Sequence, residues 1–314
     1  MIKVKNLVKD YEIVKREHIF SKKNIQTVNA IKNIDFTIND GEAVGLIGLN
    51  GAGKTTLIKM LTGILTPTNG EIEINGFIPR KRNKEYLSQI GVFMGQRSSL
   101  FYDIDLKYSF EYNKEIYKIS DEEYARVIDE LDGVMGIKAL MDTPVRKLSF
   151  GQRIKAQMAC SILHMPKIVF LDEPTIGLDI LVKENIVDFI NFLNKKYGTT
   201  FLLTSHELDT IEKCCERIIV LKNGKIIYDG KIDTFNDNED YRKIAVNKKV
   251  YQENKFDFEN VVETDTNMEF IINIKENDYS EIFSHLIFTD FTIEKLSLED
   301  IIKKMEKNQN EIIK

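Results

Sequence analysis

The fold of this chain is decided by the stretch Glu42-Ala43-Val44-Gly45-Leu46-Ile47-Gly48-Leu49-Asn50-Gly51-Ala52-Gly53-Lys54-Thr55-Thr56. It opens with a short apolar run that is typical of a buried strand. From Gly48 onward it fits the pattern G-x-x-x-x-G-K-[ST]. Apolar residues at helical spacing follow from Leu57 to Leu61. A strand, a glycine-rich loop and a helix in this order predict a phosphate-binding loop.

This loop has the chemistry that a nucleoside triphosphate requires. Its glycines let the backbone curl and approach a phosphate closely, and its N–H groups and the helix N-terminus point at the anion. We expect Lys54 to reach the β- and γ-phosphates and the Thr55 hydroxyl to ligate Mg²⁺. A glycine-rich turn that binds nothing is the alternative, which the complete motif and its two correct flanks disfavour.

The composition describes a globular protein. The chain has 314 residues, of which 43% are hydrophobic and 30% charged, so it can form one large domain and a smaller one. The net charge of −5 argues against a nucleic-acid partner. We find no signal-peptide pattern and no apolar run of about 18 residues. Three cysteines without a C-x-x-C pair indicate free thiols in a reducing cytosol.

Strands alternate with helices along the first 230 residues, which predicts an α/β core with a mainly parallel sheet. The expected strands are 2–8, 34–38, 71–74, 90–94, 168–171, 199–203 and 217–221. The first strand is expected to end at Asp10-Tyr11, before a polar, basic insertion at 12–27. In residues 231–314 we expect a small α+β domain, with strands at 244–251, 268–274 and 289–295 and helices at 278–287 and 297–307.

A second chemical signal is the run Ile168-Val169-Phe170-Leu171-Asp172-Glu173-Pro174. Four apolar residues predict a buried strand, and the two carboxylates stand at its C-terminal end, where open α/β sheets bind ligands. We expect Asp172 to hold Mg²⁺ and Glu173 to polarise the water that attacks the γ-phosphate. Without the phosphate loop, such a run is equally typical of a strand that leaves the core.

A third motif, Leu148-Ser149-Phe150-Gly151-Gln152-Arg153, resembles the signature of ATP-binding cassette (ABC) ATPases, usually Leu-Ser-Gly-Gly-Gln. The other family motifs appear in order. Tyr11 stands at the position of an adenine-stacking aromatic, and Gln96 follows a short strand as in the Q-loop. Gly177-Leu178-Asp179 matches the D-loop, and His206 matches the switch histidine. On residues 1 to about 230 the chain is identified as an ABC transporter ATPase subunit.

The resemblance implies a P-loop NTPase fold of ABC ATPase type. This α/β fold has an antiparallel β subdomain, a helical subdomain inserted at about 97–165 and here a small C-terminal α+β domain. It also implies that Gln96 senses the γ-phosphate or bridges Mg²⁺, and that His206 holds the γ-phosphate and the water. Ser149 and the N–H of Gly151 would bind the γ-phosphate held by the opposite subunit. His18, His164 and His285 are interpreted as surface or packing residues.

Together these observations predict ATP and Mg²⁺ as cofactors. The candidate catalytic residues are Lys54, Gln96, Glu173 and His206. The candidate metal ligands are Thr55, Gln96 and Asp172. The candidate nucleotide-binding residues are Tyr11, Gly48, Leu49, Asn50, Gly51, Ala52, Gly53, Lys54, Thr55, Thr56, Ser149, Gly151, Gln152 and Asp179.

The implied function is an ATP-hydrolysing subunit, cytoplasmic and peripheral on the inner face of the cell membrane. It would pair with a second ATPase subunit, a copy or a paralogue, and drive a separate membrane-spanning permease. The tail 296–301 resembles exporter subunits and favours export. One alternative is a soluble ABC ATPase acting on ribosomes or DNA. The single cassette and the net negative charge of the chain disfavour it. The other is a non-hydrolysing regulatory subunit, which Phe150 in place of the usual glycine leaves open.

Two surface hypotheses remain. The aromatic stretch after Gln96, with Tyr108, Phe110, Tyr112 and Tyr117, fits either a groove for a partner helix or the core of the helical subdomain. Within it, Phe101 and Tyr102 are the better candidates for partner contact. The basic residues at 15–23 fit anionic lipid headgroups, although a solvated loop is the simpler interpretation.

Overall fold

The computed structural model describes residues 1–15, 24–95, 98–205, 208–235, 241–249, 261–273, 291–296 and 300–301. The chain divides into two compact units, Met1–Ile232 and Asp233–Lys314. No helix within the described ranges combines the length and the apolar character that a membrane span needs.

The first unit contains two sheets. A three-stranded antiparallel sheet has the order β2-β1-β4, with β1 (Ile2–Lys15), β2 (Asn24–Ile38) and β4 (Asn69–Ile74). A six-stranded sheet has the order β5-β6-β7-β3-β8-β9. Its strands are β3 (Ala43–Ile47), β5 (Ile90–Met94), β6 (Ile168–Asp172), β7 (Thr200–Ser205), β8 (Arg217–Lys222) and β9 (Lys225–Lys231). All neighbouring strands pair in parallel except β8 and β9. Parallel strands buried on both faces explain the continuous apolar runs of the sequence.

Helices follow or connect the strands along the chain. They are α1 (Lys54–Leu61), α2 (Lys84–Leu87), α3 (Leu106–Tyr117), α4 (Asp121–Met135), α5 (Phe150–Ser161), α6 (Ile180–Tyr197), α7 (Leu208–Glu212) and α8 (Ile232–Phe235). Of these, α3, α4 and α5 lie in the segment between β5 and β6. Short 3₁₀ turns occupy Pro79–Lys81, Lys138–Leu140 and Val145–Lys147. The apolar residues of α1 belong to one core cluster with residues of both sheets. The phosphate loop, which leads into α1, is therefore anchored in an apolar core that both sheets share.

The hairpin of β1 and β2 is longer than the sequence pattern predicts. The first strand does not end at Asp10-Tyr11, because pairing continues through Tyr11 with Val28 and on to Lys15 with Asn24. The predicted insertion at 12–27 is therefore wrong, because residues 12–15 belong to β1 and residues 24–27 belong to β2. The β-branched residues of the segment favour a strand, whereas its many charges obscured the alternation. Residues 16–23, with the hypothesis on lipid headgroups, lie outside the described part of the chain.

The second unit contains an antiparallel sheet of order β11-β12-β10-β13. Its strands are β10 (Tyr241–Asn247), β11 (Val262–Glu263), β12 (Asn267–Asn273) and β13 (Phe291–Lys295). Ile244, Val246, Phe270 and Ile272 form its apolar core. The helix predicted at 278–287 lies outside the described residues, and of 297–307 only residues 300–301 are described, as helix.

His164 is a partly buried histidine that joins the helical segment to the sheet. Its ring stacks on that of Tyr117 in α3, with centroids 3.7 Å apart. Its Nε2 lies 3.0 Å from the carbonyl oxygen of Ile90, the first residue of β5, and donates to it because a carbonyl can only accept. Burial lowers the pKa of His164 to about 4, although the hydrogen bond to Ile90 acts in the opposite direction. The imidazole is therefore neutral at pH 7.

We predict that His164 contributes to the pH dependence of stability. Between the lowered pKa of about 4 and the ordinary value of 6.5, the unfolded chain binds a proton that the folded chain does not. The free energy of unfolding therefore falls as the pH is lowered through this window, by about 3 kcal/mol in total. His164→Phe keeps an aromatic stacking partner but cannot titrate, so its urea denaturation midpoint should fall less between neutral and acidic pH. Parallel pH profiles for the two proteins would contradict this prediction.

Candidate functional site

The six-stranded sheet brings the two main sequence motifs to one edge. The phosphate loop follows β3, the two carboxylates end and follow β6, and β7 lies between these strands. Since the three strands are parallel, their C-terminal ends meet at the same edge. A cavity of about 520 Å³ lies there. It is lined by Ala30, Leu49, Asn50, Gly51, Ala52, Gly53, Lys54, Thr55, Thr56, Lys59, Met94, Gly95, Asp172, Glu173 and Ile176.

The loop backbone needs glycine at two positions for different reasons. A Cβ on Gly48 would overlap the carbonyl oxygen of Leu221, which belongs to β8. Gly51 faces open space, but its φ of +79° lies in the left-handed region that favours glycine. The loop is therefore shaped both by close packing on the sheet and by a left-handed turn.

Lys54 is buried at the base of the loop, with only 6% of its surface exposed. Its ammonium group donates a 2.6 Å hydrogen bond to the carbonyl oxygen of Gly48. The same nitrogen lies 3.3 Å from Oε1 of Glu173. Because screening by water is weak at a buried site, this charge acts strongly on any anion in the loop. The ammonium group thus lies between the loop and the carboxylate expected to polarise water.

Asp172 is buried and accepts hydrogen bonds from two threonines. The Thr55 hydroxyl lies 2.9 Å from its Oδ2, and the Thr204 hydroxyl lies 2.8 Å from its Oδ1. Thr204 is not part of any motif that the sequence shows. The only sequence feature that marks it is a polar residue near the end of the apolar strand β7. In the sheet, Thr204 pairs directly with Asp172.

These oxygen atoms fit a magnesium ion. Mg²⁺ prefers oxygen ligands and is usually held by one or two carboxylates together with substrate phosphates and water. Asp172 and Thr55 supply a carboxylate and a hydroxyl side by side at the loop. Over the described ranges, no cluster of three or more His, Cys, Asp or Glu residues could form an all-protein metal cage. The donor set therefore suits a metal that shares its coordination with a nucleotide.

Tyr11 lies at the margin of this site, in the extended part of β1. Its hydroxyl is 3.4 Å from that of Thr56 in the first turn of α1, and the Lys9 ammonium lies 5.3 Å from its ring centroid. The ring is partly exposed and is not part of the cavity wall. Its position beside the loop is compatible with an aromatic platform.

The signature residues begin helix α5. Ser149 is its N-cap: its hydroxyl accepts from the N–H of Gln152, and the Gln152 side chain accepts from the N–H of Ser149. This reciprocal capping box uses the Ser149 oxygen as an acceptor and leaves the hydroxyl hydrogen able to donate. Asp179 caps α6 similarly, by accepting from the N–H of Val182. Ser149, Gly151, Gln152 and Asp179 are not among the residues that line the cavity of their own chain.

Phe150, at the position where the signature usually has glycine, is 46% exposed. The Arg153 guanidinium lies 5.7 Å from its ring centroid. The ring edge is 3.7 Å from the point that a Cβ on Gly177 would occupy, and a Cβ on Gly151 would lie only 2.9 Å from Cγ2 of Val182. The starts of α5 and α6 therefore form one surface, on which Phe150 packs beside Gly177 rather than over the nucleotide cavity.

The aromatic residues after Gln96 divide into two groups. Phe110 is fully buried and Tyr117 stacks on His164, so these two belong to the core of the helical segment. The others are exposed, namely Phe101, Tyr102, Tyr108 and Tyr112. The rings of Phe101 and Tyr112 meet edge to face at 5.1 Å. Part of the aromatic stretch thus forms core, and part forms a surface.

Two predicted site residues, Gln96 and His206, lie outside the described residues. Their neighbours in sequence, Gly95 and Ser205, are described, and Gly95 lines the cavity. Five residues of the cavity wall were not predicted as site residues, because each is apolar or lies outside the motifs: Ala30, Lys59, Met94, Gly95 and Ile176.

A glycine-rich loop after a central strand, with a buried aspartate at the end of a neighbouring parallel strand, defines a P-loop NTPase. Residues 31–176 match the family model described as ABC transporter. The chain is 33% identical over 214 residues to the ABC transporter ATP-binding protein NatA of Bacillus subtilis. The aligned region covers 68% of this chain and 87% of NatA. The chain therefore belongs to the family of ABC transporter ATP-binding proteins, and it is an ATP-binding ATPase of this fold.

Two further comparisons bear on its activity and assembly. The chain is 31% identical over 210 residues to the methionine import ATP-binding protein MetN of Geobacillus kaustophilus, across 66% of this chain and 61% of that protein. It also resembles a solved dimeric ATP-binding cassette in a post-hydrolysis state bound to ADP and Pi. That likeness has a TM-score of 0.63 and 26% identity, over 74% of this chain and 99% of the other. The family thus includes a protein named for import, so membership does not establish export.

We predict that alanine substitutions at Gly48 and Gly51 differ in their effect on stability. Gly48→Ala forces a Cβ into a backbone carbonyl of β8 and should lower the free energy of unfolding by about 3 kcal/mol. It should also weaken the binding of a fluorescent ATP analogue. Gly51→Ala has room for its methyl group and should cost only about 1 kcal/mol through its left-handed φ. Urea denaturation gives both values, and an equal effect of the two substitutions would contradict the close-packing argument.

Proposed function

We propose that this chain is the cytoplasmic ATPase subunit of an ABC transporter, which drives a separate membrane-spanning permease at the inner face of the cell membrane. The observation that carries the proposal is the meeting of Lys54, Thr55, Asp172 and Glu173 at one cavity. This set can bind a triphosphate, hold a divalent cation and polarise water, which are the requirements of ATP hydrolysis.

Within one subunit each group has a distinct task. The Lys54 ammonium neutralises charge on the β- and γ-phosphates, and Thr55 with Asp172 would hold Mg²⁺. Mg²⁺ would supply charge stabilisation at the phosphates. Glu173, whose carboxylate lies beside Lys54, orients and polarises the attacking water. Tyr11 would stack on the adenine, and Gln96 and His206 would contact the γ-phosphate and the water, as the family motif implies.

A second subunit would complete the site. The N–H groups at the start of α5 and the Ser149 hydroxyl hydrogen can bind an anion, but these groups are not part of the cavity of their own chain. Two chains paired head to tail would place them against the γ-phosphate on the partner's loop, enclosing two ATP molecules. Asp179 would lie at the same junction.

An exposed apolar surface supports this pairing. Phe150, Ile176, Ile180 and Leu181 are between 46% and 74% exposed. Phe150 is linked to Ile176 through the contact with Gly177, and Ile176 also lines the nucleotide cavity. Apolar side chains grouped at the edge of a binding site are typical of protein interfaces.

This proposal predicts a dimer that depends on Ser149. Glu173→Gln should bind ATP without turnover and elute as an ATP-dependent dimer in size-exclusion chromatography. Adding Ser149→Ala should abolish that dimer while single-subunit ATP binding persists. Since Ser149→Ala also removes a helix cap, Ser120→Ala is the matched control: Ser120 caps α4, and losing either cap costs about 1 kcal/mol.

Three results would overturn parts of this scheme. Turnover by Glu173→Gln at the wild-type rate would remove Glu173 from the mechanism. A persistent dimer of the Ser149→Ala double variant would remove Ser149 from the interface. Loss of the dimer in the Ser120→Ala double variant as well would assign the effect to helix stability.

The permease would contact the exposed aromatic surface of the helical segment. A groove of about 590 Å³ lies there, lined by Phe101, Tyr108, Glu111, Tyr112, Lys114, Glu115, Asp121 and Tyr124. Exposed aromatic rings are frequent anchors for partner helices. For the direction of transport we propose export, which rests on the resemblance of the tail 296–301 to exporter subunits.

We predict that the chain extracted from membranes in detergent co-purifies with an integral membrane protein. Phe101→Ser should reduce the recovered permease, because it removes an exposed anchor, without changing ATP binding. Ile64→Ser, which alters an exposed apolar side chain outside the groove, is the matched control. Recovery with ribosomes or DNA and without a membrane protein would overturn the transporter proposal in favour of the soluble alternative.

A further inference from the structure

Thr204 occupies a position between the two carboxylates of the site. It lies next to the last residue of β7, is fully buried and pairs in parallel register with Asp172 of β6. Its hydroxyl oxygen is 2.8 Å from Oδ1 of Asp172 and 2.9 Å from the backbone nitrogen of Glu173. One side chain thus contacts both residues expected to do the chemistry.

Chemistry determines the direction of both hydrogen bonds. The backbone N–H of Glu173 can only donate, so the Thr204 oxygen accepts from it. The ionised Asp172 carboxylate can only accept, so the Thr204 hydroxyl hydrogen points to it. The hydroxyl therefore cannot rotate without losing a bond, and the fully buried Thr204 side chain offers water no surface from which to replace that bond. Its β-branched side chain further restricts rotation.

Each bond constrains one feature of the site. The bond to Oδ1 fixes the Asp172 carboxylate so that Oδ2 faces the Thr55 hydroxyl at 2.9 Å. The bond to the Glu173 N–H holds a residue whose φ is +52°, in the left-handed region that side chains with a Cβ disfavour. That backbone turn directs the Glu173 side chain toward Lys54.

We propose that Thr204 is a positioning residue that sets the Asp172 carboxylate for the metal and the Glu173 backbone for the water. The inference rests on the proposed function, in which Asp172 holds Mg²⁺ and Glu173 acts on water. Thr204 itself is fully buried and is not among the residues that line the cavity. It acts through its two neighbours, as the outer partners of metal ligands generally do.

The test uses the full-length chain and two readouts. The first is Mn²⁺ affinity in the presence of ADP, measured from the free-ion electron paramagnetic resonance signal. The second is the steady-state kcat and KM for ATP. Thr204→Val, which replaces the hydroxyl with a methyl group, should weaken Mn²⁺ binding and lower kcat by about 10- to 100-fold each. KM and the affinity for metal-free nucleotide should stay within about threefold, because the loop is unchanged.

Three variants separate positioning from stability. Thr204→Ser keeps the hydroxyl and should restore both readouts to within about threefold of wild type. Thr200→Val is the matched control, since Thr200 is a buried threonine of the same strand that accepts from the N–H of Gly41, outside the site. It should lower the melting temperature but leave Mn²⁺ affinity unchanged. Thr204→Cys, of similar volume but a weak hydrogen-bonding group, supplies the same readouts if the valine variant does not fold.

The inference would be overturned if Thr204→Val or Thr204→Cys kept the Mn²⁺ affinity and kcat of the wild type. It would also be overturned if Thr200→Val lost as much Mn²⁺ affinity and kcat as the Thr204 variants. Glu173→Gln is measured alongside to keep the two claims separate. If Glu173→Gln loses turnover while the Thr204 variants keep it, only the role of Thr204 fails. If Glu173→Gln keeps full turnover, the proposed role of Glu173 fails, and the Mn²⁺ measurement still decides whether Thr204 positions Asp172.

Discussion

The nucleotide site depends on the hydrogen bonding of the buried Asp172 carboxylate. It accepts from Thr55, in the helix that follows the phosphate loop, and from Thr204 of β7. A buried charge without such donors would be costly, so these contacts constrain the positions of the loop, β6 and β7 together. The backbone of Glu173 depends on the same arrangement, since its N–H donates to Thr204. The proposed metal site and the proposed water site would thus share one structural support.

Residues proposed to meet a second subunit also have structural roles in their own chain. Ser149 and Asp179 cap α5 and α6, and close contacts around Gly151 and Gly177 join the two helix starts. The N–H groups that would bind an anion are therefore oriented by the same caps that begin the helices. Folding and the proposed partner binding would therefore be coupled on this face, to which Phe150 adds apolar area without lining the nucleotide cavity.

Family membership accounts for the first unit more fully than for the second. The matched residues 31–176 lie within Met1–Ile232. The second unit has its own four-stranded sheet and apolar core. ATP chemistry consequently belongs to the first unit. Features that distinguish this chain within the family are to be sought in the second unit and on the exposed aromatic surface of the helical segment.

The sequence by itself determined the class of the protein and much of its site. The apolar runs predicted β3, β5 and β6 closely, and the loop pattern identified Lys54 and Thr55, because these signals depend on neighbours along the chain. It failed at residues 12–27, where charges obscured a continuing hairpin. The contact between Thr204 and Asp172 arises from the tertiary fold. The two residues are 32 positions apart, and their contact follows from strand order and register, which local composition does not encode.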